Sequence, residues 1–254
     1  MDKQIYSKIT QKKEFSRLPK KDVENVFAKF DNENFLDEEK IKLTRELLMK
    51  VYSVFASKKI LNLKNRDVEW LLKRHSSTRE RFDFYPELYK KLFNKIKTKI
   101  TIIDLGAGIN GLSYKFFPEN LKFDYVGIEA MGQLVDLMNF YFEKNKIKGN
   151  VFHQSLFELG KTDDLIKKQR GEKIVFLFKI LDSLERVERN YSKKLLKNIV
   201  PFADKVVVSF ATRSLISKKK FRANKKWLVE FINENFKILD DFELGSESYL
   251  VFQK

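Results

Sequence analysis

The chain has 254 residues, 43% of them hydrophobic, with 24 Phe and 4 Pro, which fits one α/β domain with a helical extension and little disorder. With no Cys and 2 His it has no disulfide, thiolate metal site, Cys nucleophile or His-rich metal site, a composition suited to a reducing cytosol. A net charge of +16 points to a polyanionic partner. Short apolar runs and the polar start MDKQIYSKITQKKEF argue against a membrane span or a signal peptide, so a cytoplasmic location is expected.

Residues 1–98 read as helices, with candidates at Asp22–Phe30, Asp37–Lys58, Asp67–Leu72 and Arg79–Ile96. The third candidate is followed by HSSTRER at 75–81, a polar run that is hard to explain as core. The last carries Phe82, Tyr85, Tyr89, Leu92, Phe93 and Ile96 at helical spacing, a stripe that reads as core. Pro86 marks a kink or a first turn there. From residue 99 to 254, strands alternate with helices. Strands are expected near 100–105, 123–128, 150–155, 173–179 and 205–210, with helices near 111–117, 131–146, 162–169 and 184–199. This pattern predicts a parallel sheet. A helix near 224–235 then leads to a hairpin, Phe236–Glu243 and Ser248–Phe252, turning at Leu244-Gly245-Ser246.

The stretch KITIIDLGAGINGLS, 99–113, organises the α/β part as strand, glycine turn and helix start. That is how an open sheet presents backbone to a nucleotide-like ligand. Asp104, Gly106, Ala107 and Gly108 form the turn, and Glu129 ends the next strand 25 residues after Asp104, where a carboxylate can accept from both ribose hydroxyls. The glycine spacing alone also fits NAD, but DLGAG resembles the first motif of S-adenosylmethionine (SAM) methyltransferases. Residues 205–226 add eight cations and no acid, which favours nucleic acid as the polyanion, with Lys218, Lys219, Lys220, Arg222 and Lys225 as its candidate contacts.

Taken together, HSSTRER, DLGAGINGL (104–112), FKILDSLER (178–186), VVSFATRSL (207–215) and GSESYLVF (245–252) resemble the 16S rRNA guanine-N7 methyltransferases of the aminoglycoside-resistance Arm/Rmt type. The resemblance covers most of the chain. It implies a class I SAM-dependent methyltransferase fold, a Rossmann-like seven-stranded sheet whose last strand is antiparallel. It also implies that the helices of 1–98 dock on the small ribosomal subunit. The implied cofactor is SAM and the implied partner is 16S rRNA in that subunit, with the enzyme acting as a monomer. His75, Ser76, Ser77 and either Arg79 or Arg81 would lie at the methionine end of SAM, with Arg79 favoured by register. Phe55 and Phe178 would lie against the cofactor. The sequence departs from the family where Ser155-Leu156 stands in place of Asp-Leu or Asp-Val near the adenine. Gln154 or Ser155 could partly replace the lost acceptor.

An arginine can clamp the methionine carboxylate in a planar fork. Guanine N7 has a lone pair and no proton, so its methylation requires positioning and no general base. A base flipped out of its stack shows N1–H and N2–H₂ donors and an O6 acceptor. Lys179 and Glu185 supply a matching cation and carboxylate after one strand, and Arg213 could hold a flanking phosphate after the next. Left open are another RNA position as target, and a catalytically silent rRNA-binding assembly factor.

Overall fold

A computed structural model describes residues 1–52, 67–212 and 226–254. Phe55, Arg213, Lys218, Lys219, Lys220, Arg222 and Lys225 lie outside the described residues.

Six helices precede the sheet among the described residues: α1 (Lys3–Thr10), α2 (Lys20–Phe27), α3 (Asp37–Val51), α4 (Val68–Arg74), α5 (Ser76–Arg81) and α6 (Tyr85–Phe93). Sequence periodicity did not mark α1, which starts where Asp2 accepts the Gln4 amide at 2.7 Å. Asp67 caps α4 in the same way, through the Trp70 amide at 3.1 Å. The single helix expected over Arg79–Ile96 is instead α5 and α6, separated by a 3₁₀ turn at Phe82–Phe84. Pro86 sits in the first turn of α6, where its missing N–H costs nothing.

The sheet has seven strands: β1 (Ile100–Leu105), β2 (Phe123–Glu129), β3 (Gly149–His153), β4 (Glu172–Phe178), β5 (Lys205–Ala211), β6 (Lys237–Leu244) and β7 (Glu247–Gln253). Their order is β3-β2-β1-β4-β5-β7-β6. β1 to β5 pair in parallel, and β7 enters antiparallel between β5 and β6. The expected seven-stranded sheet with an antiparallel last strand is therefore observed. The connections are a 3₁₀ helix at Asn110–Phe116, then α7 (Gly132–Lys144), α8 (Leu159–Lys168), α9 (Leu181–Val187), α10 (Tyr191–Ile199) and α11 (Lys226–Asn235). The helix expected over 184–199 is broken in two. Asn190 adopts φ 63°, a left-handed conformation that ends one helical run and starts another.

All six residues of β1 are buried, as its short apolar run predicts for a central parallel strand. The aromatic stripe of α6 packs into this core. Tyr85 and Tyr89 stack at 5.4 Å, and Tyr89 meets the edge of Phe117 at 4.4 Å. Such offset and edge contacts satisfy the ring quadrupoles while burying large apolar area. Phe93 of α6 reaches Phe176 of β4 with ring centroids 6.3 Å apart, which ties the helical region to the sheet. Among the described residues no helix is long and apolar enough to cross a membrane.

Candidate functional site

A cavity opens at the carboxyl ends of β1 and β4. These neighbours in space are not neighbours in sequence, and chain connections leave them in opposite directions. A crevice at that switch point is where open α/β sheets bind ligands. Both sheet loops and helical residues line it.

The loop after β1 forms the floor. Gly106 and Gly108 have φ of 73° and 52°, which favours glycine at both places. A Cβ on Gly108 would also come within 3.2 Å of the His75 ring. Asp104 is 1% exposed and accepts from Tyr125 Oη at 2.7 Å and Asn110 Nδ2 at 2.8 Å. Burial raises its pKa to about 6, against the pull of those two donors. Glu129, ending β2, accepts the Gly108 amide at 2.7 Å and the Met131 amide at 2.8 Å. Burial pushes its carboxyl up, and the Met131 and Gly108 amides pull it back. Its two oxygens keep lone pairs for hydroxyl donors.

The second wall is a buried charge network. Arg81 is 1% exposed and lines the cavity, whereas Arg79 is exposed and does not. Of the two arginines considered, the cavity therefore holds Arg81 and not the favoured Arg79, since α5 turns position 81 inward toward the sheet and position 79 out. Arg81 Nε donates to both oxygens of Glu247 at 3.1 Å, Nη1 to Asn110 Oδ1 at 2.8 Å, and Nη2 to Ser77 Oγ at 2.8 Å. Glu247, from β7, also accepts from Ser209 Oγ at 2.9 Å and pairs with Lys179 at 3.0 Å. Burial opposes its charge, yet Arg81 and Lys179 hold its carboxyl below the usual range. Lys179 pairs with Glu80 as well. Its φ of 58° is unusual for a residue with a Cβ and ends β4 at Phe178, one residue short of the expected strand. His75 lines the cavity fully buried, and desolvation followed by the nearby Arg81 charge lowers its pKa to about 3, so it is neutral.

The sequence-predicted residues divide accordingly. His75, Ser77, Arg81, Asp104, Gly106, Ala107, Gly108, Glu129, Leu156, Phe178 and Lys179 line one cavity. Ser76 and Ser155 are not in its lining. Ser155 is wholly buried, with Oγ accepting the Phe157 amide at 3.0 Å. Glu185 stands apart from that cavity. It sits in α9, outside the cavity lining, and its two oxygens accept the Asn190 and Ser192 amides at 2.7 Å each. It caps the start of α10, and each oxygen keeps a further lone pair. Sequence reasoning missed Asp22, Tyr52, Asn110 and Glu247. Asp22 carried a signal, an acid four residues before Val26 on the apolar face of α2.

A parallel sheet ending in an antiparallel hairpin, with a glycine turn after β1, an acid ending β2 and a crevice above them, defines a class I methyltransferase fold. A profile of the ribosomal RNA methyltransferase family FmrO matches residues 63–248. The chain belongs to that family. It is 26% identical over 191 residues to the Proteus mirabilis "16S rRNA (guanine(1405)-N(7))-methyltransferase", covering 72% of this chain and 64% of that protein. A Frankia casuarinae protein of the same name is 26% identical over 147 residues, covering 58% of this chain. The chain thus spans 64% and 49% of the lengths of these two curated relatives. Among solved structures, the 16S rRNA methyltransferase RmtF in complex with S-adenosyl-L-homocysteine superposes with a TM-score of 0.81 at 18% identity, covering 100% of both chains. The 16S rRNA methylase ArmA gives 0.59 at 27% identity, over 76% of this chain and 95% of that one.

Proposed function

We propose that this chain is a SAM-dependent methyltransferase that modifies N7 of a guanine in 16S rRNA of the small ribosomal subunit, at the position named for its curated relatives. The observation that carries the reading is a single cavity joining a ribose-type carboxylate, Glu129, to a buried cation, Arg81, across a glycine turn. The donor set fits the cofactor. Glu129 offers oxygens to two vicinal hydroxyls, and Arg81 offers positive charge to a carboxylate. Asp104 offers a negative field to an ammonium. When bound, SAM supplies an electrophilic methyl group on a sulfonium.

The residues of this chain then orient and desolvate. Neutral His75 and Phe178 add no charge beside the reacting centre. The Arg81–Glu247–Lys179–Glu80 network holds its side chains in fixed geometry with balanced charge. Because N7 carries no proton, this site needs no general base, and in-line positioning can supply about 7–11 kcal/mol of barrier reduction. Lys179 lines the cavity, and in this reading its ammonium meets an acceptor edge of the target base. The basic run 205–226 and the helices of the amino-terminal region supply contacts to rRNA phosphates.

The test is methylation of purified small subunits with labelled SAM, followed by borohydride reduction and aniline cleavage. Strand scission at one guanine is expected, because the N7-methylated ring is labile under those conditions. Label incorporated without scission would reject N7 as the acceptor, and absence of label would reject the activity.

A further inference from the structure

One residue at the cavity has no place in the account above. Asp22 is carried by α2, is 2% exposed, and lines the cavity together with Tyr52, Glu129 and Leu156. Tyr52 Oη donates to its Oδ1. The hydroxyl of Ser155 is close enough to favour its charge, yet Oδ2 is buried and has no hydrogen-bond partner of good geometry. A buried carboxylate oxygen without a donor is costly, and native structures keep such groups for a reason. Tethering Tyr52 uses one oxygen only and leaves Oδ2 unexplained.

Position limits what could satisfy it. Asp22 lies by Ser155, just past β3, and close enough to Glu129 for the two charges to interact. This is the β2–β3 side of the cavity, away from Arg81 and Lys179. Beyond the ribose acceptor, that side is walled by Met131, Leu134 and Leu156, which suit a flat apolar ring. An acceptor-only group at the edge of such a slot selects a ring bearing an N–H donor.

Resting on the cofactor reading above, we propose that Asp22 accepts the hydrogen bond of the adenine exocyclic amine and so sets base specificity from the amino-terminal helical region. The acceptor expected after β3 is thereby supplied by a different element. Ser155 stays in the arrangement as a support for Asp22 rather than as a ligand contact.

The experiment is titration calorimetry of the full chain with S-adenosylhomocysteine and with S-inosylhomocysteine, which carries a carbonyl in place of the amine. Wild type should prefer the adenosine compound by about ten- to a hundredfold, the range of a hydrogen bond to a charged group. Asp22→Asn should reduce that preference to below about threefold, since an amide can donate to the carbonyl. Thermal melting at pH 7 should show the variant folded and at least as stable as wild type, because a buried charge has been removed. Equal binding of the two compounds by wild type, or an undiminished preference in Asp22→Asn, overturns the proposal. Binding of neither by wild type refutes the cofactor reading itself and the proposal with it. An N6,N6-dimethyl analogue gives a check on wild type alone. It lacks the amine protons and should bind as poorly as the inosine compound, and tight binding would count against Asp22.

Discussion

Removing Glu247 tests whether the buried network is a unit. Three groups converge on this carboxylate: Arg81 Nε at 3.1 Å to each oxygen, Lys179 at 3.0 Å and Ser209 at 2.9 Å. It is 1% exposed, as is Arg81. Glu247→Ala leaves the Arg81 guanidinium buried with neutral partners only, because Asn110 and Ser77 carry no charge. Lys179 still has Glu80. Breaking one side of such a pair costs about 3–5 kcal/mol, mostly the desolvation of the stranded charge. For a chain of this size, a melting shift of about 2 °C per kcal/mol gives a drop of about 6–10 °C. Urea titration should show a lower midpoint at unchanged slope. Arg81→Met with Glu247→Leu should recover a large part of the loss, because neither charge then remains, giving a coupling of about 2 kcal/mol or more. A loss below about 1 kcal/mol for Glu247→Ala, or strict additivity in the double variant, would refute the view that these charges are held as a pair.

Two further outcomes follow from groups with defined surroundings. His75 has a folded pKa of about 3 against about 6.5 unfolded, so its contribution is full above pH 6.5 and is lost as pH falls. At pH 5 the loss is about 2 kcal/mol. Asp22 and Asp104, each raised to about 6, act in the opposite sense, contributing stability below pH 4 that is lost as pH rises through 6. The His75 part is isolated as the difference between wild type and His75→Phe in urea titrations at pH 7.5 and pH 5, and an unchanged difference would mean that His75 does not resist protonation. For the basic run, Lys218, Lys219 and Lys220 changed together to Ala should flatten the log–log salt dependence of rRNA binding by about 2, at 0.7–0.9 per phosphate contact. An unaltered slope would make the run a solvated face.

The parts legible in sequence were those where a local pattern has one physical solution. The buried run of β1, the glycine turn, and an acid ending β2 placed Asp104, Gly106, Gly108 and Glu129 in the cavity they share. The aromatic stripe of α6 read as core and is core. Less was legible where contacts beyond the local pattern decide. Nothing local distinguishes Arg79 from Arg81 in STRER, and the choice is made by Glu247, 166 residues away in β7. The backbone partners of Glu185 were not legible because the break at Asn190 was not foreseen. Once α10 starts anew, its open amides claim that carboxylate.

The same logic bears on how the chain divides. Sequence places a boundary at 98/99 between a helical docking region and a methyltransferase domain. The cavity crosses that line: Asp22, Val51, Tyr52, His75, Ser77, Thr78 and Arg81 line it from the helical side. Arg81 is fixed by β7, Tyr85 bonds Asn110 at 2.8 Å, and Thr78 is tied at 2.6 Å to the Leu72 carbonyl. The helical region therefore builds one wall of the site. An rRNA contact that shifted α2, α3 or α5 by an ångström would move Asp22, Tyr52 or Arg81 against the sheet loops. On the proposed docking of the helical region, a surface change that reaches these helices should raise KM for the subunit and lower kcat together. When it touches only the basic run, KM alone should rise.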